Sequence, residues 1–316
     1  MMRNGAPRVT VLLPVFNGGK FFATALRSIL DQTFTDLECL VIDDGSTDDS
    51  AAVASEAAHR DRRVRLIQRE NRGLVATLNE GVACARAPLV ARMDADDVAL
   101  PDRLQRQVAF LDEHPQVVCV GGGHWLIDEV DRIIAPLSAP ARHVEIDALS
   151  LKGHTAICHP AATMRVDAIR QAGGYRQDFY PTEDLDLWLR LAEVGELANL
   201  PVPVIRYRVH TGSISGQAAL GRQRDAAERS CRAAWSRRGL VDQHFEGAAP
   251  WRVGESRSSR LEFALRYGWM AWSAGIAATA RAYGRKAVAI DPLDAGAWRL
   301  LTVASFKKAP VADQAP

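Results

Sequence analysis

No stretch of this 316-residue chain approaches the roughly 20 consecutive apolar residues that a membrane-spanning helix needs. The nearest approach, residues 267–280, is short and is flanked by Arg266 and Arg281. The early apolar run VTVLLPVF (residues 9–16) is not expected to be a secretory signal. It lies between Pro7 and Gly18, with neither a basic start nor a small-residue cleavage site. A buried strand explains it better, and the expected location is the cytoplasm, with the inner face of the membrane as the alternative. Charge of one sign is absent as well: 39 Lys and Arg against 38 Asp and Glu leave a net +1. That argues against overall attraction to nucleic acid. The five cysteines are widely spaced and form no CxxC pair, which leaves zinc or thioredoxin-like sites without support and fits reduced thiols. No GxGxxG follows the first apolar run, which disfavours a dinucleotide-binding dehydrogenase. No fixed-period repeat occurs either.

What is present is an ordinary globular composition, 47% hydrophobic and 24% charged. Residues 9–15, 38–42, 64–67 and 88–93 are short apolar runs that predict strands. Helical patterns separate them: Phe22, Ala25, Leu26, Ile29 and Leu30 form one stripe, residues 51–58 a second pattern, and Leu74, Leu78 and Val82 a third. Pro101 suits the first turn of a further helix with Leu104, Val108 and Leu111 on its apolar face. Residues 117–121 predict another strand, and Gly121 to Gly123 a bend or a close backbone approach. Residues 125–137 read as a hairpin, a helix opens near Thr182, and residues 202–209 alternate like a strand. The expected division is one α/β domain over residues 1–220 and a helical region over 221–316, where residues 271–306 resemble a helical hairpin turning at Asp291-Pro292. Apolar strands alternating with helices imply a mainly parallel sheet covered on both faces. Each polar cluster falls at the C-terminal end of a strand, which is where open α/β sheets bind ligands.

Two acidic clusters carry the chemistry. Asp94-Ala95-Asp96-Asp97 crowds three carboxylates directly after an apolar strand. They would repel one another without a cation, and hard oxygen ligands suit Mg²⁺ or Mn²⁺. A polar turn leading into the next helix is the competing reading. Glu183-Asp184 opens a helix, where the positive end of the macrodipole favours the charged form that a general base needs. Here the competing reading is acidic residues that only stabilise a helix.

Five segments in order resemble family 2 of the glycosyltransferases: VLLPVFNGG (11–19), VIDDGSTDD (41–49), ENRGL (70–74), MDADD (93–97) with PDRL (101–104), and TEDLDLW (182–188). The resemblance covers about residues 7–215. It implies a GT-A fold, Rossmann-like with a mainly parallel central sheet flanked by helices, carrying here a small C-terminal helical appendage. It implies an inverting, non-processive, metal-dependent transfer from a nucleotide-sugar, UDP- or dTDP-linked, to a carbohydrate or lipid-linked acceptor. Surface polysaccharide or glycolipid assembly is a common setting for such enzymes.

By the same resemblance, Pro14, Val15, Phe16 and Asn17 would wall the nucleotide pocket. Asp44 would bind the base, Asp43 would bind or shape the loop, and Asn71 and Gly73 would line the cleft. Asp94 and Asp96, with Ala95 between them, would form the DxD element, contacting ribose and Mn²⁺ or Mg²⁺. Asp97 would supply or replace the metal ligand, the resemblance leaving open which of Asp96 and Asp97 coordinates. His210 would reach the metal or diphosphate. Asp184 would be the base, with Glu183 beside it. His159-Pro160 resembles a segment near the acceptor, with a structural role for that histidine equally open. Adjacency of Cys158 and His159 does not make a nucleophile pair.

The chain departs from the pattern in three places. Phe16 stands where tyrosine is common, residues 121–180 match no particular acceptor, and no QxxRW-type element appears. A sugar-phosphate nucleotidyltransferase would show a Gly- and Arg-rich loop after the first strand instead of PVFNGGKFF. A non-catalytic nucleotide-sugar-binding protein is the third reading, disfavoured because every required acid is present. Arg222, Arg224, Arg229, Arg232, Arg237 and Arg238 could meet an anionic membrane peripherally, but Asp225 and Glu228 interrupt them and favour a solvated helix face.

Overall fold

The computed structural model describes residues 5–210, 220–247 and 256–310. Contacts divide the chain into two compact units interleaved in sequence. The first comprises residues 1–124, 138–206 and 221–249, and the second residues 125–137, 207–220 and 250–316.

The first unit begins with the alternation read from the sequence. Strand β1 (Val9–Val15) is followed by helix α1 (Gly19–Leu30), β2 (Leu37–Asp43) by α2 (Ser50–Arg60), and β3 (Val64–Gln68) by α3 (Leu74–Cys84); β4 (Leu89–Arg92) comes next. Every residue of β1, β2 and β4 is buried, which is why these runs are apolar without alternation. β3, β2, β1 and β4 lie side by side in parallel register. The short β5 (Val98–Ala99) then leads to α4 (Arg103–Glu113) and β6 (Val117–Ile127). Beyond β7 (Ile133–Leu137) come α5 (His143–Leu151), a 3₁₀ turn (His159–Ala161), β8 (Thr163–Arg165), α6 (Val166–Gln171), α7 (Glu183–Leu191) and β9 (Glu196–Arg208). The strand order is β3-β2-β1-β4-β8-β6-β9-β5, with β7 beside β6. β8 runs antiparallel to both β4 and β6, so the sheet switches from parallel to antiparallel at the edge of β4.

Two local expectations are corrected. Pro101 precedes α4 instead of entering its first turn: its carbonyl accepts the Thr33 N–H at 2.9 Å, and the Arg103 N–H turns back to Leu100 O at 3.1 Å. Gly121 to Gly123 lie inside β6, so the strand read over residues 117–121 runs on to Ile127. A Cβ on Gly121 would stand 2.3 Å from Asn199 Oδ1 and one on Gly122 2.9 Å from the Val204 methyls, so glycine is the residue that lets neighbouring side chains cross the strand.

Helix α8 (Leu220–Arg238) also behaves differently from the reading of residues 221–316 as one region. Its Ala227, Cys231 and Ala234 pack with Leu185, Leu189 and Phe245, so α8 belongs largely to the first unit. Its arginines explain themselves there. Arg238 pairs with Asp147 and Glu193, and Arg237 with Glu193. Arg229 donates to Asp178 O, Arg224 to Gly247 O, and Arg232 meets Glu228 along the helix. Of these, Arg224, Arg229, Arg237 and Arg238 bind the helix to other parts of its own unit.

The second unit has a core of its own. Leu126, Ile134 and Ala135 pack with Phe263, Ala264 and Ala271 of α9 (Arg257–Ser273), Ala280, Tyr283 and Ala287 of α10 (Ala277–Ile290), and Ala297 and Ala304 of α11 (Ala295–Phe306). α10 and α11 form the hairpin expected at Asp291-Pro292. None of the described helices is long and apolar enough to cross a membrane.

Candidate active site

The loops after β1 and β2 are stitched together. Asn17 takes a left-handed φ of 52°, which asparagine tolerates better than most residues. Its Oδ1 accepts the Thr47 N–H at 2.8 Å, and its own N–H donates to Ser46 Oγ at 2.9 Å. Gly18 and Gly19 donate to Ser50 Oγ and Asp48 Oδ2. Pro14 and Val15 are buried strand residues behind this turn, whereas Phe16 stands 52% exposed beside it. Asp43 is buried and accepts the Ser46 N–H at 3.0 Å, the loop-shaping role considered for it.

Asp44 is buried and fully engaged. It accepts the N–H groups of Arg72 at 2.8 Å and Gly73 at 2.9 Å, and it pairs with Arg69. Arg69 in turn holds Glu80 at 2.7 Å and Thr77 at 2.8 Å. Asp44 therefore anchors the segment carrying the exposed Asn71 and the left-handed Gly73. Gly45 completes the fit: its φ is 80°, and a Cβ there would stand 2.8 Å from the Asn71 nitrogen. Arg69 escaped sequence reading because a charged residue just past a strand usually means only solvent.

At the end of β4 the Met93 N–H bonds to Leu12 O, and the chain turns into the acidic loop. Asp94, Asp96 and Asp97 each offer a carboxylate oxygen, and all three atoms lie within 4.8 Å of one another. Ala95, between them, carries only a methyl group. Asp97 is almost fully buried, and Asp94 pairs with Arg92, itself 3% exposed. Burial pushes the Asp94 carboxyl above its usual range, against the pull of Arg92, and the Asp96 charge adds to the rise. Three convergent hard oxygens fit a small divalent cation such as Mg²⁺ or Mn²⁺. His210 follows β9 in the second unit and is not one of the metal-capable group.

The second acidic group opens α7, and burial overrides the helix dipole there. Glu183 is 5% exposed, and its Oε2 has no hydrogen-bond partner among the described residues. Burial first, and then the like charge of Asp184, push Glu183 up to about 7; Asp94 adds to the rise and Arg92 opposes it. Asp184 is also raised by burial, although its Oδ1 accepts the Leu185 N–H at 2.7 Å. Asp94 raises both carboxyls and Arg92 lowers both, so the two acidic groups share one electrostatic field.

This coupling has a stability consequence. Between the ordinary value of 4.5 and about 7, folded Glu183 keeps a proton that the unfolded chain releases. Its contribution is therefore fully present below 4.5 and is lost as pH rises through about 7. Glu183→Gln is expected to stabilise the protein at alkaline pH by up to about 3 kcal/mol, with no gain in acid. Urea unfolding in EDTA on both sides of the transition checks this.

Helix α7 is held rigidly. Asp186 is fully buried between Arg176 and Arg190, with bonds of 2.9 Å from Arg176 Nε and 2.6 Å from Arg190 Nη2. Asp186→Ala strands two guanidinium groups and is expected to cost about 3–5 kcal/mol in urea unfolding. Trp188 meets the His159 ring edge-on at 5.7 Å, and His159 Nε2 lies 2.9 Å from Tyr175 Oη. The Tyr175 backbone is clasped on both sides by the Asn79 amide at 2.8 Å. His159 is thus a buried link between the turn before β8 and α7. Burial raises the Cys158 thiol above the usual range, the charges of Asp97 and Asp94 add to the rise, and its neighbour His159 faces Tyr175, an arrangement that does not favour a Cys–His nucleophile.

A parallel sheet that turns antiparallel beside an acid-tipped strand has the layout of the GT-A fold. The chain belongs to the glycosyl transferase family 2, whose model matches residues 10–173. It is 36% identical over 200 residues to the putative glycosyltransferase EpsE of Bacillus subtilis (strain 168), covering 61% of this chain and 69% of that one. It is 33% identical over 211 residues to the O-antigen biosynthesis glycosyltransferase WbnJ of Escherichia coli, covering 65% and 81%. In fold it is similar to S. aureus TarS 1-349, solved in complex with UDP-GlcNAc, with a TM-score of 0.62 and 15% identity over 94% of this chain and 91% of that one. It is also similar to the mannosyltransferase PcManGT from Pyrobaculum calidifontis, solved with GDP-Man and Mn²⁺, with a TM-score of 0.55 and 20% identity over 95% and 80%.

Proposed function

We propose that this glycosyltransferase moves a sugar from a nucleoside diphosphate, UDP- or dTDP-linked, to an acceptor hydroxyl with inversion. The observation that carries the reading is the shared field of two acidic groups, Asp94 with Asp96 and Asp97 at the tip of β4 and Glu183-Asp184 opening α7. Asp94, Asp96 and Asp97 would hold Mn²⁺ or Mg²⁺, which would supply Lewis-acid neutralisation of the leaving diphosphate. Asp184 takes the acceptor proton, and the rise in its pKa makes it a stronger base near neutral pH. Phe16, Asn17, Asp43, Asp44, Asn71 and Gly73 form the nucleotide side, with the Asp44–Arg69 pair presetting the 69–73 segment. Rigid α7 holds the base in place, so positioning and electrostatics do the catalytic work. The absence of a QxxRW element favours single transfers. Relatives named for O-antigen and amylovoran biosynthesis favour a carbohydrate or lipid-linked acceptor in surface polysaccharide assembly.

The test is nucleoside diphosphate release from UDP-, dTDP- and GDP-sugars across a panel of acceptors, with Mn²⁺ or with EDTA. Turnover with UDP- or dTDP-sugars that EDTA abolishes is expected. Undiminished turnover in EDTA contradicts the metal role, and release of pyrophosphate from nucleoside triphosphates contradicts the reaction class.

A further inference from the structure

The PDRL segment contains a charge that the reaction as described does not use. Arg103, at the first position of α4, is completely buried and forms no ion pair among the described residues. An unpaired buried charge is costly unless hydrogen bonds replace its water. Here they do: Nη2 donates to Arg92 O at 2.8 Å and Ala162 O at 3.4 Å, Nη1 reaches Met93 Sδ at 3.3 Å, and Nε donates to Gln107 Oε1 at 3.1 Å.

Gln107, one turn along the same face, is equally buried. Its Nε2 donates to Ala161 O at 2.7 Å and to Val120 O and Gly121 O at 3.2 Å, while its Oε1 also accepts Thr163 Oγ1 at 2.7 Å. The two side chains thus tie together β4, β6 and the turn before β8, where the sheet changes direction. Two of the groups they hold, Arg92 O and Met93 Sδ, belong to the last two residues before Asp94, and a third, Thr163 Oγ1, to β8, the strand beside β4. Burial lowers the Arg103 guanidinium to about 9; Arg92 adds to the fall and Asp97 opposes it, so Arg103 also lies within the field of the acidic loop.

We propose that Arg103, backed by Gln107, is a positioning residue for the cation-binding loop: its fork fixes the Arg92–Met93 peptide against Ala162, so that Asp94, Asp96 and Asp97 converge before a cation arrives. The inference rests on the reading of that loop as a divalent-cation site. A lysine could keep the charge but not the four-way fork. A purely electrostatic role predicts that loss of this buried positive charge tightens cation binding. Positioning predicts weakening even when the charge is kept.

The test is Mn²⁺ titration of the whole chain, with free Mn²⁺ read by electron paramagnetic resonance and folding checked by thermal melting. Arg103→Lys is expected to weaken Mn²⁺ binding about tenfold, the lower end of what groups outside the ligand set contribute. A lowered melting temperature with unchanged Mn²⁺ affinity overturns the proposal. If Arg103→Lys does not fold, Met93→Leu decides: it removes the sulfur contact at nearly constant volume and is expected to weaken Mn²⁺ in the same direction, and wild-type affinity overturns the proposal. Wild-type protein that binds no Mn²⁺, or binds it equally well as Asp96→Ala, rejects the metal reading itself and the inference with it.

Discussion

Asp184→Asn is expected to lower turnover by about a thousandfold, within the range a positioned general base contributes. Asparagine keeps the shape and can still accept the Leu185 N–H, so α7 should stay in place and Mn²⁺ and donor binding should survive. The substitution also removes a like charge from beside Glu183, whose carboxyl is then expected to ionise at lower pH than in the parent protein. Residual activity should carry that signature, with its acid limb displaced downward. Single-turnover rates against pH, with donor binding followed by thermal stabilisation, separate these effects. Turnover close to the parent value would remove Asp184 from the mechanism.

Asp96→Ala or Asp97→Ala is expected to cost on the order of a thousandfold in kcat/KM, equivalent to about 4 kcal/mol of transition-state stabilisation. The two classes of variant should differ in kind. Loss of Asp184 spares Mn²⁺ affinity, whereas loss of a loop carboxylate abolishes it along with the EDTA sensitivity of what remains. Asp97 is buried and its charge favours the ionised forms of Arg92 and Arg103, so its removal should lower stability more than removal of the less buried Asp96. A variant that loses Mn²⁺ yet keeps full transfer would show that the loop is not where the leaving group is neutralised.

Much of this was legible in the chain before the fold was known. The parallel half could be read because β1, β2 and β4 are buried on both faces, which writes uninterrupted apolar runs, and because ligands collect where such strands end. The acidic loop and the pair at α7 followed from that rule together with the family resemblance. The partners of those groups were not legible. Arg92 and Arg103 look like ordinary charges within and beyond a strand, and only the folded sheet reveals that both are buried around Met93. The protonation of Glu183 also required the fold: helix position favours its charge, but burial outweighs that effect. The division at residue 220 misled because α8 buries a stripe of small residues, Ala227, Cys231 and Ala234, beneath a composition dominated by arginine. The strand continuing through Gly121 to Gly123 was hidden for a similar reason, since those glycines answer to Asn199 and Val204, far away in sequence.

The central claim is that the loop at β4 and the pair at α7 act on each other as one site. Infrared titration of the Glu183 carboxyl, isolated by subtracting the Glu183→Gln spectrum, tests it with and without Mn²⁺. A cation at the loop should pull that titration down from about 7 by about one unit or more, because it reverses the charge that Glu183 now feels from Asp94. A midpoint that stays fixed while Mn²⁺ saturates the loop would contradict the account.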